Sequence, residues 1–364
     1  MKSALLLPFL VVALGCDSSY TVPPRGDAGA STSDGAVAVS DDAGNHPGSD
    51  ASPGSDASPG SDASPGGDAS PGSDASPGSD ARVTLDGGPR QTLRYVISEI
   101  TLPSSASAFA FDHDGDGSGE NQYGAIVAVM AQSGASLQAV MNASLAAGED
   151  LQLIGFDTSD PTLLADTAPI LRQHVAVSSS GPDFTGSGSF AVNPSKPAAI
   201  YSGVLLASQY ASTHPRTLPA PPTVHLRLPI GDGRTALLPL VGARLEAQVT
   251  AAGLLEGRLR GAWRQSDVNT IVLPAIAAQV NAIAQQVPCG SSCTTVKQFF
   301  DSNGDGTITA TDLQQSPLVG AMFAPDLDLY DNAGTWAPNP LRTGRDSLSV
   351  SLAFRAVRAQ FTAP

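Results

Sequence analysis

From Asp301 to Thr307 the chain carries an oxygen-bearing side chain at every second position, and Asp312 follows seven residues after Asp305. Counted from Asp301, the residues Asp301, Asn303 and Asp305 stand at positions 1, 3 and 5. Gly306 supplies a sharp turn at 6, Thr307 offers its carbonyl at 7, and Asp312 closes the loop at 12. Hard divalent cations such as Ca2+ take about six to eight oxygens at roughly 2.3–2.6 Å, and alternate side chains of one tight loop can converge on such an ion. A plain Asn-Gly-Asp-Gly surface turn would use the same residue types; the full ligand spacing favours calcium.

A second loop, Asp112-His113-Asp114-Gly115-Asp116-Gly117-Ser118-Gly119-Glu120, repeats the alternation in Asp112, Asp114 and Asp116, with Ser118 and Glu120 as further donors. Its twelfth position is Tyr123, which offers no carboxylate. Three carboxylates held this close repel one another, so an empty loop is expected to be mobile or partly protonated. Asp326, Asp328 and Asp331 alternate with Leu327 and Leu329, which predicts the exposed face of a strand in preference to a third metal site. Cys289 and Cys293 are expected to form a small structural disulfide, since an exported chain meets an oxidising environment and no further thiol ligands accompany them.

The Asp301–Asp312 loop resembles the EF-hand superfamily, and its Asp-x-Asn-x-Asp-Gly core with Asp312-Leu313 at the end looks most like the loop of bacterial dockerin modules. The resemblance covers residues 296–318 and implies a short entering helix bearing Phe299 and Phe300. Asp312 stands where most EF-hands carry a bidentate Glu, and no second loop of this kind lies nearby. The first departure implies weak binding; the second counts against cohesin recognition by a complete dockerin. The loop at Asp112 is similar to the shorter acidic loops of integrin-like and thrombospondin-type repeats.

Other chemistries lack their residues. The five His residues, 46, 113, 174, 214 and 225, have no zinc-site spacing, and no Gly-x-Ser-x-Gly elbow, phosphate loop or dinucleotide fingerprint occurs. With 34 acidic against 19 basic residues, a net charge of −15 opposes binding to nucleic acid. Paired carboxylates for glycoside hydrolysis depend on the fold for their separation, so an envelope polysaccharide hydrolase with structural calcium stays open.

At the start of the chain, Lys2 precedes an apolar run over 4–14 that is too short to span a bilayer, which reads as an export signal over 1–15. Ala13-Leu14-Gly15-Cys16 resembles a bacterial lipobox, implying lipidation of Cys16 as the first residue of the mature protein. An ordinary cleavage after Ala13-x-Gly15 is the alternative, and the odd thiol at the cleavage point favours lipidation. Residues 16–91 then read as a disordered tether. Asp50, Asp56, Asp62, Asp68, Asp74 and Asp80 recur every six residues in an Asp-Ala-Ser-Pro-Gly-Ser repeat, and residues 17–91 hold 12 Asp against 3 Arg. Such a composition cannot bury enough apolar surface to offset chain entropy.

What must position the acidic loops is a folded region over 92–364. Alternating or short apolar runs predict strands at 93–102, 151–156, 174–178, 187–192, 200–207, 224–228, 236–241, 245–251, 254–263 and 347–357, joined by Gly- and Pro-rich turns such as Gly231-Asp232-Gly233. Ile126, Met130, Leu137, Met141 and Leu145 predict one helix over 125–147. Val268, Ile271, Val272, Ile276, Val280, Ile283 and Val287 predict a second over 268–287, with Pro274 kinking it or marking its first turn. The expected fold is mainly β, an antiparallel sandwich or open barrel with two inserted helices and one EF-hand-like helix-loop segment. The expected role is a calcium-binding lipoprotein of the bacterial cell envelope, anchored in the membrane, on the outer membrane or cell surface in preference to the inner membrane. It would act as a non-enzymatic binding or structural module for an envelope polysaccharide or protein ligand, with dockerin-like assembly as a further alternative.

Overall fold

A computed structural model describes residues 89–362 except 133–135, 150, 232–233, 340 and 342–343. The export signal, Cys16 and the repeat tether lie outside the described residues, as do Asp232 and Gly233 of the expected hairpin turn. The folded region begins one residue before its expected boundary, at β1 (Gln91–Thr101).

Among the described residues the domain has ten strands: β1, β2 (Gln152–Thr158), β3 (Ala165–Asp166), β4 (Ile170–Val175), β5 (Ala199–Leu206), β6 (Gln209–Ser212), β7 (Val224–Gly231), β8 (Arg234–Val249), β9 (Gly253–Arg264) and β10 (Ser347–Arg358); β3 and β6 lie on no expected run, and β4 meets the run at 174–178 only at its end. Eight of them close into an antiparallel barrel in the order β5-β4-β2-β1-β10-β9-β8-β6, with β6 returning to β5. The fold is therefore mainly β as expected, and the barrel is closed. β3 adds to β5 at its side, and β7 pairs with the first half of β8. The run at 187–192 makes only isolated bridges, Ala176 with Val192 and Ser189 with Gln360.

Two expected strands, 236–241 and 245–251, are one. Strand β8 pairs β7 over Ala236–Leu240 and β6 over Glu246–Gln248, and a bulge between Val241 and Arg244 re-aims it. Gly242 there has φ +60°, and a Cβ on it would fall 2.4 Å from the Trp336 ring. The glycine that reads as a break in the sequence is the hinge of a continuous strand.

The barrel's inward positions carry large side chains, among them Tyr95, Phe156, Tyr201, Tyr210, Leu259 and Phe354, all essentially inaccessible. Burying each such side chain contributes about 1.5–3 kcal/mol. Polar groups inside are connected: Tyr201 Oη donates to Gln173, Gln173 to Gln152 at 3.0 Å, and Gln152 to the His225 carbonyl. Tyr210 Oη donates to the Tyr201 carbonyl.

The first expected helix is two. α1 (Gln122–Gln132) packs on β10, and α2 (Leu137–Ala146) packs on β1 and β7. Ser136 starts the second by accepting from the Ala139 N–H, so a fresh N-cap lies inside the apolar stripe. The stripe itself holds, with Ile126, Met130, Leu137, Met141 and Leu145 all buried. The second expected helix is α3, Gln265–Ala284. A π-turn at Val268–Val272 precedes Pro274, which sits in the first turn of the regular helix. Val268, Val272, Val280 and Ile283 are buried, whereas Ile271 is 37% exposed and Val287, beyond the helix, 95% exposed. By length and composition α3 could cross a membrane, yet its buried face belongs to the domain core.

Three short helices follow: α4 (Ser291–Phe300), α5 (Ala310–Gln315) and α6 (Pro317–Met322). Cys289 and Cys293 are disulfide-bonded, with Cα atoms 5.3 Å apart, and Cys293 Sγ lies 3.1 Å from the Ala284 carbonyl. The bridge closes the turn that enters α4 and sets the Cys293 sulfur beside the end of α3. Asp326, Asp328 and Asp331 do not form the expected exposed strand face: Asp328 is buried, and Leu327 and Tyr330 make only isolated bridges.

Candidate metal centres

The loop after Phe111 is built on the outside of β8 and β9. Phe111 and Glu120 form a two-way backbone bridge that closes the loop's base. The Phe111 ring packs against the guanidinium groups of Arg244 and Arg260, 4.7 and 4.9 Å from its centroid. Both arginines are held by Glu246, at 2.8 and 2.5 Å. Beyond the loop, Asn121 donates to the Ser351 carbonyl and accepts the Ser351 N–H, each at 3.0 Å, so its amide acts as a strand partner for β10. Both ends of the loop are therefore fixed to the barrel.

Inside it, Asp112 accepts the Gly115 and Gly117 N–H groups, Asp114 that of Asp116, and Asp116 that of Ser118. Carboxylate oxygens of Asp112, Asp114 and Asp116 lie within 4.8 Å of one another. Oxygens on opposite sides of a calcium ion stand about 5 Å apart, so this spread fits one. The all-oxygen donor set suits a hard cation. Glu120, the last of the expected donors, has a buried Oε2 with no hydrogen-bond partner. Burial, followed by the charges of Asp116, Asp114, Asp326 and Asp112, pushes its carboxyl up to about 8. Asp114 is raised as well, first by burial and then by its acidic neighbours. Ser118 contributes its N–H to the loop and is itself exposed.

Two features here were not legible in the sequence. Asp326 stands close enough to raise Glu120, while Ser349 on β10 donates to it through both N–H and hydroxyl. Gly115 has φ +88°, and the Arg216 guanidinium occupies the space a Cβ there would need. Arg216 and His214 come from a distant connection, His214 Nε2 meeting the Asp112 carbonyl at 3.1 Å. His113 packs edge-on against the Phe111 ring; burial, then Arg260, His214 and Arg244, hold it down to about 3.

The Asp301 loop joins α4 to α5, as the expected helix-loop segment requires. Asp301 Oδ2 accepts the Gly306 N–H at 2.9 Å, Asn303 Oδ1 that of Asp305 at 2.9 Å, and Asp305 Oδ1 that of Thr307 at 2.7 Å. Gly304 and Gly306 take φ +71° and +81°, which glycine adopts without strain. Asp301 Oδ1 is buried and has no partner. Asp312 is engaged elsewhere: Oδ2 accepts from the Thr309 N–H and hydroxyl, and Oδ1 from Ser302. Thr309 and Asp312 form a capping box at the start of α5, and these hydrogen bonds, Thr309's foremost, lower the Asp312 carboxyl. The position-12 residue therefore serves the helix terminus. The Ile308 N–H donates to Asn281 Oδ1 of α3 at 3.2 Å.

Three internal hydrogen bonds recur in both loops, whereas the Gly115 N–H bond to Asp112 and the converging acidic triad found among the described residues belong to the first. Known proteins add nothing to this geometry: no family model, curated protein or solved structure matches the chain.

Proposed function

We propose that this chain is a calcium-binding lipoprotein of the bacterial envelope, held to a membrane by lipidated Cys16 and displaying its barrel domain on the acidic repeat tether. The domain acts without catalysis, as a binding or structural module. The observation that carries the calcium reading is the convergence of Asp112, Asp114 and Asp116 within 4.8 Å, beside the unpartnered Glu120 oxygen. Asp301, Asn303, Asp305, Thr307 and Asp312 form a second, weaker site. Support for weakness comes from Asp312, whose oxygens already cap α5.

Affinities of extracellular modules, on the order of 10⁻⁴ to 10⁻³ M, suit a structural clamp that free calcium outside a cell can fill. Calorimetric titration of the full chain with Ca2+ tests this. Millimolar binding, with loss of one component in Asp114→Asn and of the other in Asp305→Ala, is the expected result. No heat of binding at millimolar Ca2+ and identical melting in Ca2+ and chelator would remove calcium from the account. Intact mass of the mature protein tests the anchor separately: an unmodified Cys16, or a different first residue, would remove the lipid.

A further inference from the structure

The connection after β6 and the segment after α6 together line an open cleft of about 530 Å³. Arg216 and Leu218 come from the connection, and Asp331, Trp336, Pro338 and Asn339 from the segment. Both contributors are held in place. Trp336 bridges Tyr330 across a tight turn closed by Asp331, Gly334 and Thr335, and its ring packs where Gly242 lacks a Cβ. Arg216 Nη1 meets the Asp114 carbonyl of the acidic loop at 3.4 Å, and its guanidinium fills the space beside Gly115. The polar groups of the cleft keep unused capacity. Asp331 Oδ1 accepts the Ala333 and Thr335 N–H groups, and Asn339 Oδ1 that of Leu341. Among the described residues Asp331 Oδ2 and the Asn339 N–H2 have no hydrogen-bond partner, and neither is buried. Arg216 is exposed and in no ion pair.

This mixture of groups limits the ligand. Arg216 opposes a cation and Asp331 an anion, so the complement is neutral overall. It must offer acceptors to Arg216 and Asn339, a donor to Asp331, and an apolar face to the half-buried Trp336 ring. A hydrocarbon would leave all three polar groups without partners. A pyranose meets every requirement, because each hydroxyl both donates and accepts while the C–H groups of one ring face are apolar. Vicinal hydroxyls, which a peptide backbone lacks, can satisfy a carboxylate and a guanidinium together. The volume lies within the range of about 300–1,000 Å³ usual for ligand sites. We propose that this cleft binds a neutral polysaccharide, with one sugar ring resting on Trp336 and its hydroxyls held by Arg216, Asp331 and Asn339. The proposal names the ligand of the binding module inferred above and rests on that reading; the acidic loop contributes by positioning Arg216.

Cellohexaose, maltohexaose, xylohexaose and chitohexaose serve as probes, titrated into the full chain carrying Cys16→Ser in Ca2+ and again in chelator. The other tryptophan, Trp263, is fully buried, so a change of emission reports Trp336. At least one sugar should bind saturably at millimolar concentration or below and alter that emission. Arg216→Ala, at an exposed position, and Asp331→Asn, which keeps the oxygen that closes the turn, should each fold and weaken the sugar about tenfold or more. Trp336→Leu should abolish binding, with near-ultraviolet circular dichroism checking its fold. Failure of the folded parent chain to bind any of the four sugars in either condition would overturn the proposal. So would affinity unchanged by both Arg216→Ala and Asp331→Asn, or saturable binding of denatured casein alone, which would put a peptide in the cleft. The heat of Ca2+ binding is measured on the same samples. Ca2+ heat without sugar binding fails this proposal alone, and sugar binding without Ca2+ heat fails the calcium reading alone.

Discussion

The Asn281 side-chain oxygen accepts the backbone N–H of Ile308 at 3.2 Å, tying the centre of the Asp301 loop to α3. Ile308 is itself buried in the main core. Removing the acceptor in Asn281→Leu leaves a backbone donor unsatisfied, at about 1–3 kcal/mol. The expected outcome is a lower melting temperature in chelator and weaker Ca2+ binding at this loop, with the Asp112 loop unaffected. Melting of Asn281→Leu in the Asp114→Asn and Asp305→Ala backgrounds separates the two loops.

Lengthening the closing carboxylate should strengthen the same loop. Asp312 caps α5 from the third helical position, and Glu there retains the capping box with Thr309. One added methylene lets the carboxylate reach the ion while the cap persists. Asp312→Glu is expected to raise Ca2+ affinity about tenfold with little change of stability in chelator. Calorimetry paired with chelator melts reads both quantities.

The hairpin that closes the barrel carries strain that can be relieved. Leu206 pairs with Gln209, so β5 and β6 are joined by Ala207 and Ser208, which have φ +49° and +62°. Two-residue turns with both φ values positive favour Asn-Gly, and the left-handed conformation costs other residues about 1–2 kcal/mol each. The double substitution Ala207→Asn, Ser208→Gly should raise stability by about 1 kcal/mol, seen as an increase of a few degrees in melting temperature.

His174 supplies a pH dependence. Burial, and next the Arg172 charge, hold its imidazole below the ordinary value of 6.5. Below that pH the unfolded chain takes up a proton that the native imidazole resists, so this stability is present above pH 6.5 and is lost as pH falls toward the depressed folded value. His225 shifts in the same direction, by burial and then Lys196. Denaturant midpoints measured at pH 7 and 5.5 should fall on acidification, and by less in His174→Gln.

The sequence by itself determined what is local. Alternation of side chains has a period of two wherever a strand has one face buried, so most barrel strands could be read within a few residues of their ends. Acidic spacing is likewise a property of one short loop, so both loops could be located from the chain alone. Tertiary structure decided everything that joins segments far apart. Strand β6 is four residues long and follows a turn with neither Gly nor Asn, so the strand that closes the barrel left no local signature. Strand β8 was divided at Gly242 because nothing nearby in the chain announces Trp336 lying over it. Asp326 beside Glu120 and Asn281 beneath Ile308 are single polar residues. Their meaning comes from partners up to 206 residues away. Periodicity records which face of an element is buried, and it carries no information about what that face meets.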